Sequence, residues 1–145
     1  MVDVSDKEST RRVAQASCLV RTSADSRPER TPSVTSDVIL SARLTGIHAA
    51  KRTADIIPLC HPLALSSVRL DIEAHHRGFA VTSEVVTDAR TGVEMEALTA
   101  CAFAALALAA SLVAGDPDVR IEDLTLLRKS GGKSGDWGRD VPVTH

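Results

Sequence analysis

Tyrosine is absent from this 145-residue sequence, and its aromatic side chains amount to two phenylalanines and one tryptophan. A sheet-based RNA-binding module stacks bases on exposed rings, and this chain has no such platform. Charge bias is missing as well: Lys and Arg number 17 against 19 Asp and Glu, which leaves no general basic field for nucleic acid. A polyanion would have to be held by a local basic pocket. The three cysteines, Cys18, Cys60 and Cys101, include no C-x-x-C pair. They read as reduced thiols of a cytoplasmic protein, not as a disulfide framework or zinc site, and no spacing among the five histidines resembles a metal centre. The N-terminus carries Asp3, Asp6, Lys7 and Glu8 without an apolar core, so no signal peptide is expected. The uncharged run over 98–114 is mostly alanine and falls short of the about 20 apolar residues of a membrane span, so none is expected there either.

What is present fits one domain, 1–145, with a real core. Residues 13–20 form a short apolar stretch that reads as a strand, and 22–36, with two prolines and many hydroxyls, reads as a polar loop with the composition of a disordered segment. Ser36 or Asp37 is positioned to cap a helix in which Leu40, Leu44 and Ile47 recur at helical spacing, while Ala42, Gly46, Ala49 and Ala50 form a smooth second face for close approach of another backbone. Lys51, Arg52 and Thr53 end that helix, and Pro58 and Pro62 stiffen the connector beyond it. Val68, Leu70, Ile72 and Ala74 alternate with charged residues as in a half-buried strand; 75–78 is a turn, 79–87 a second strand and 119–127 a last one. Between the last two strands, Thr91 followed by Glu94 fits a capping box opening a long helix whose lack of charge predicts burial on all sides. The order strand, helix, strand, strand, helix, strand is that of a ferredoxin-like α+β fold with an antiparallel sheet and two main helices.

Three places carry candidate chemistry. His61, held between Pro58 and Pro62 beside Cys60, is either a turn-stabilising histidine or a proton-transfer group, and adjacent extended residues point apart, so Cys60 and His61 do not pair. The stretch 128–137, R-K-S-G-G-K-S-G-D-W, offers glycines, lysines and hydroxyls to a phosphate and belongs to a Gly-rich C-terminal loop and tail over 129–145. It is no Walker loop, because Leu127 stands where the first glycine is required; its lone Trp137 predicts that the tail docks. The third place is Arg90 with Glu94 and Glu96, to which Arg12, Arg43, Lys51 and Arg52 would add cations if the fold gathers them.

M-V-D-V-S-D-K at 1–7, A-R-L-T-G-I-H-A-A-K-R-T at 42–53, I-P-L-C-H-P-L at 57–63, R-T-G-V-E-M-E-A-L-T-A at 90–100 and K-S-G-G-K-S-G-D-W at 129–137 resemble the cyclic pyranopterin monophosphate synthase (MoaC-like) family of molybdenum cofactor biosynthesis. The resemblance implies a lyase that converts cyclised dihydro-GTP to cyclic pyranopterin monophosphate with release of pyrophosphate. It also implies a homohexamer, a trimer of dimers with sites at subunit interfaces, with magnesium as a conceivable companion of the triphosphate and no other cofactor. By the same resemblance Leu59, Cys60, His61, Glu94, Met95 and Glu96 contact the pterin, and Arg12, Lys129 and Lys133 meet the triphosphate and reacting sugar, His61 and Lys129 with catalytic roles. The family's acidic residue falls on Ala110, and two of its lysines fall on Val113 and Thr35. Methyl and isopropyl groups transfer no protons, and losing such a group costs about two to four orders of magnitude in rate. A synthase with an altered site and a catalytically impaired paralogue that binds ligand or partner subunits are therefore both carried forward.

Overall fold

The computed structural model describes residues 1–23, 34–133 and 135–139. The elements run β1 (Thr10–Arg21), α1 (Ser36–Ala50), α2 (Thr53–Ile56), β2 (Ser67–His75), β3 (Gly78–Ala89), α3 (Glu94–Leu112), β4 (Arg120–Ser130) and β5 (Trp137–Gly138). The five strands form one sheet in the order β2-β3-β1-β4-β5, with every neighbouring pair antiparallel. This is the expected ferredoxin-like α+β arrangement, with β5 added as an edge.

Period-two alternation decides which face of the sheet is covered. Ala14, Ala16, Cys18 and Val20 of β1, with Val81 and Val85 of β3 and Leu70 and Ile72 of β2, are buried in one core with the inner side of α3. Ser83 Oγ donates to Ala97 O at 2.7 Å and ties α3 to the sheet through a buried hydroxyl that would otherwise be unsatisfied. The central strand is longer than the 13–20 expected from apolar residues alone, because the ladder with β3 continues through the polar Thr10–Arg12.

Two local expectations, the cap of α1 and the capping box of α3, are overturned, while the smooth face of α1 serves for close approach as expected. The N-cap of α1 is Thr35, whose Oγ1 accepts from Val38 N at 3.4 Å, instead of Ser36 or Asp37. The buried face of α1 is the smooth one, Ala42, Gly46, Ala49 and Ala50, whereas Leu40 and Leu44 are 55% and 58% exposed. The reason is the seam with α3: a Cβ on Gly46 would stand 2.5 Å from Ala100 O and 3.0 Å from Ala104 Cβ, a spacing that leaves no room for leucines. Finally, α3 begins at Glu94, and Val93 is its N-cap with no side-chain hydrogen bond, so there is no Thr91 capping box. The Glu94 carboxylate is drawn away to Lys129 Nζ at 3.2 Å, a charge-assisted contact from another strand.

Burial of α3 is one-sided. Ala97, Ala100, Cys101, Ala104, Ala105 and Leu108 face the core, but Leu106 is 53% exposed, and Ala110 and Val113 are exposed beside it. By length and composition the helix would pass as membrane-spanning, contrary to the expectation from its uncharged run, and half of its most apolar window is buried within the fold. At the other end of the chain, β4 runs to Ser130, so the segment assigned to a loop from 129 onward begins inside a strand. The tail does dock on β4, with Trp137 opposite Lys129 and Arg128 opposite Gly138, but by backbone pairing; the indole stays exposed with Arg139 over it at 5.9 Å. The polar loop over 22–36 lies outside the described residues between 24 and 33.

Candidate functional site

Antiparallel connectivity brings the start of β1, the ends of β3 and β4 and the start of α3 to the same end of the sheet. The start of β1 lies beside the end of β3, Thr10 opposite Ala89, and beside the end of β4, Ala14 opposite Lys129. The start of α3 follows directly from β3, and α1 ends on this side because β2 then begins opposite Val86. Thus Arg12, Lys129, Glu94 and the connector carrying Leu59, Cys60 and His61 converge without being near in sequence. The connector is pinned by Thr87 Oγ1 donating to Ala64 O at 2.6 Å and Ser66 N donating to Val86 O at 2.8 Å.

Three cavities line this end. The largest, about 550 Å³, is walled by the cations Lys7, Arg12, Arg90 and Lys133, with Glu8, Thr10, Thr91, Gly92, Glu94 and Gly132. A second, about 160 Å³, shares Thr91, Gly92 and Glu94 with it and adds Leu59, Cys60, His61, Met95 and Glu96. His61 and Glu96 in turn form a wall of a third, about 280 Å³, that reaches Lys51 and Arg52. The three adjoin through these shared wall residues as a trough-like series, with Lys7, Arg12, Arg90 and Lys133 at one end, Lys51 and Arg52 at the other, and a histidine and a carboxyl group between.

The polar groups are unevenly partnered. Arg12 Nη1 donates to Gly131 O at 3.2 Å, but its Nε and the Thr10 hydroxyl are buried without a hydrogen-bond partner among the described residues. Unpaired groups on two residues of the cavity wall mark hydrogen-bonding capacity that the described residues leave unused. Gly132, at φ +77°, lies against the Arg12 guanidinium, where any side chain would displace it. Glu96 is only 4% exposed, and burial, seconded by the neighbouring Glu94 charge, pushes its carboxyl group above the usual range. Burial and the Glu96 charge likewise raise the Cys60 thiol, which makes it a poor nucleophile and a good neutral contact.

Every site residue expected from the resemblance apart from Ala110 and its companions borders this trough: Leu59, Cys60, His61, Glu94, Met95, Glu96, Arg12 and Lys133 line its cavities, and Lys129 joins through Glu94. Arg43 does not belong to it, because its Nη2 meets Asp71 Oδ1 at 3.5 Å beside β2. Ala110 is remote too. Sixteen residues of helix separate it from Glu94, about 24 Å at 1.5 Å per residue, and Val113 and Thr35 lie toward that same opposite end of the domain. Within one chain these three positions meet none of the cavities. Glu8 and Thr10 were not legible as wall residues, and Lys7, Thr91 and Gly92 stood only within longer motifs, until the strand register set them beside the others. Among the described residues no group of three or more His, Cys, Asp or Glu side chains is gathered as a metal would require.

The sequence model of the MoaC family matches residues 1–132. A cyclic pyranopterin monophosphate synthase of Streptomyces coelicolor is 47% identical over 143 residues, covering 96% of this chain and 83% of its own length. One from Methylobacterium sp. (strain 4-46) is 47% identical over 148 residues, 97% of this chain and 90% of its own length. A protein named cyclic pyranopterin monophosphate synthase 2, from Mycobacterium bovis, is 44% identical over 147 residues, 96% of this chain and 84% of its own length.

Proposed function

The chain belongs to the MoaC family, and on that premise we propose that it serves molybdenum cofactor biosynthesis by converting cyclised dihydro-GTP to cyclic pyranopterin monophosphate, with release of pyrophosphate. The observation that carries this reading is the junction of two unlike cavities at Thr91, Gly92 and Glu94. A nucleotide-derived substrate is itself bipartite, a flat polar ring system joined through a sugar to a triphosphate. The ring fits the pocket of Leu59, Cys60, His61, Met95 and Glu96, where the Glu96 carboxyl group, whose protonated form burial favours, supplies hydrogen-bonding oxygens. The triphosphate fits the cationic cavity of Lys7, Arg12, Arg90 and Lys133.

A cyclic monophosphate and pyrophosphate arise from one triphosphate when a substrate oxygen replaces pyrophosphate on the α-phosphorus. Negative charge then grows on the departing group, and preorganised cations stabilise it more than they stabilise the bound substrate. Lys129, ion-paired to Glu94 at the junction, is our candidate for the cation that meets charge developing between the two halves, and His61 is our candidate for proton transfer on the ring side. A homohexamer with shared sites accounts for two further features: the open apolar side of α3 around Leu106, and the separation of Ala110 and Val113 from their own chain's trough.

The test is incubation of the purified chain with cyclised dihydro-GTP, following cyclic phosphate product by mass spectrometry and pyrophosphate by a coupled assay. Product formation at a synthase-like rate supports the proposal; binding without turnover supports the second reading, a ligand-binding paralogue. That reading draws on Ala110 and Val113, whose side chains cannot move protons. It predicts that Ala110→Asp with Val113→Lys raises the rate by at least about tenfold. Thr35→Lys is best left out of the first variant, since Thr35 caps α1 and its loss costs about 1 kcal/mol by itself.

A further inference from the structure

We infer that Asp136 is a positioning residue for the cationic cavity, acting through the glycine turn upon Arg12; the inference rests on reading that cavity as a polyphosphate site. Gly131 and Gly132 follow β4 at φ +93° and +77°, and two successive glycines have no side chain to restrict them. Something else must hold their backbone in one conformation. Asp136 Oδ1 accepts from Gly131 N at 3.1 Å, reaching back across the turn, and Gly135 N donates to Gly132 O at 3.1 Å inside it. Asp136 is itself delivered to that spot because the next two residues, Trp137 and Gly138, pair with Lys129 and Arg128 of β4, and Arg139 N donates to Leu127 O at 2.8 Å.

The turn so held faces Arg12. Gly131 O accepts from Arg12 Nη1 at 3.2 Å, and Gly132 offers the guanidinium a surface that a Cβ would occupy. One peptide carbonyl thus fixes one donor of the Arg12 fork beside the cavity that Arg12 lines, while Nε stays buried and without a partner among the described residues. Release of Gly131 N frees rotation about the φ and ψ of Gly131, which aim the carbonyl of the next peptide plane, and the guanidinium loses its fixed direction. The docked tail is thereby part of the site although Asp136 lines none of the cavities.

Charge makes the consequence testable. Removing a carboxylate near an anion site strengthens anion binding if Coulomb repulsion is all that Asp136 contributes. Positioning demands the reverse. Calorimetry of inorganic tripolyphosphate binding to the full chain at low ionic strength, with melting temperatures alongside, should show Asp136→Ala weakening affinity by about three- to tenfold, the size of one hydrogen bond. Asp136→Asn, which keeps the Oδ1 acceptor and loses the charge, should bind as well as the wild type or better. In an Arg12→Ala background Asp136→Ala should cause no further loss. Unchanged or tighter binding by Asp136→Ala overturns the inference, as does a loss that adds fully to that of Arg12→Ala. Failure of the wild-type chain to bind tripolyphosphate at all overturns the polyphosphate reading of the cavity, and the inference with it.

Discussion

Replacing Gly46 by alanine tests the packing on which the site's frame depends. In an isolated helix the substitution stabilises by about 0.5–1 kcal/mol, since alanine loses less backbone freedom on folding than glycine. Here the new methyl would stand 2.5 Å from the backbone oxygen of Ala100 and also press on the Leu70 side chain. Ordinary contact begins near 3.4 Å, so α1 and α3 must part by about 0.9 Å, and a carbonyl within a helix cannot yield as a side-chain tip can. A gap of that size forfeits a quarter to a half of the dispersion energy at each contact across the seam, and overpacking of this kind costs about 1–3 kcal/mol. The net effect is a loss of about 1–2 kcal/mol, or about 3–6 °C in melting temperature for a chain of this size. Calorimetry at fixed protein concentration measures it, with exposed Ser41→Ala on the same helix as a control expected within about 0.5 kcal/mol of wild type. A Gly46→Ala protein that melts at or above the wild-type temperature refutes the close seam.

Other expectations follow from the site. Lys129→Ala removes an ion pair whose partners are about a third exposed, so stability should fall by no more than about 1 kcal/mol, whereas turnover or polyphosphate affinity should drop at least tenfold; equal small effects on both would deny Lys129 its functional place. Because burial raises the Glu96 carboxyl group in the folded state, the folded chain holds a proton that the unfolded chain releases as pH climbs above the ordinary carboxylate range. Stability from this group is therefore full at low pH and lost as pH rises through the folded value, so Glu96→Gln should gain in melting temperature relative to wild type between pH 4 and pH 7; a constant difference across that range counts against a perturbed Glu96. Cys18 and Cys101 are buried 3.3 Å apart, and the Cys18 contact together with burial holds the Cys101 thiol far above its ordinary value, while Cys60 alone is partly open. Iodoacetamide should thus add one label to the native chain, at Cys60 and more slowly than to a free thiol, and three after unfolding, as read by intact mass; rapid triple labelling of the native chain would show that the core is not closed.

Element order was readable because it depends on near neighbours. Alternation in Val68 to Ala74, the turn at His75 to Gly78 and the proline-stiffened connector each follow from residues a few positions apart, and together they specify the ferredoxin-like arrangement. The small face of Ala42, Gly46, Ala49 and Ala50 was legible as a place for close approach, and that is how α1 uses it. The motifs pointing to the family were legible too, since they are contiguous stretches of sequence.

Choices between competing partners were not. A capping box for Glu94 is the local solution, but strand register brings the Lys129 ammonium to it, and a full charge outcompetes a backbone amide. Leucines at 40 and 44 look like the buried stripe until the narrow α1–α3 seam excludes them. The same applies to function: Arg43 and Arg12 are equivalent cations in a list of residues, yet one is spent on Asp71 and the other is held against a glycine turn at a cavity wall. Ala110 shares a helix with Glu94, and only the length of that helix reveals that the two stand at opposite ends of the domain. Sequence by itself determined the four main strands, the two main helices, the family and the chemical inventory, because these are carried by local pattern and residue type. The tertiary structure alone decided which of those groups meet, because antiparallel register joins positions that chain distance keeps apart.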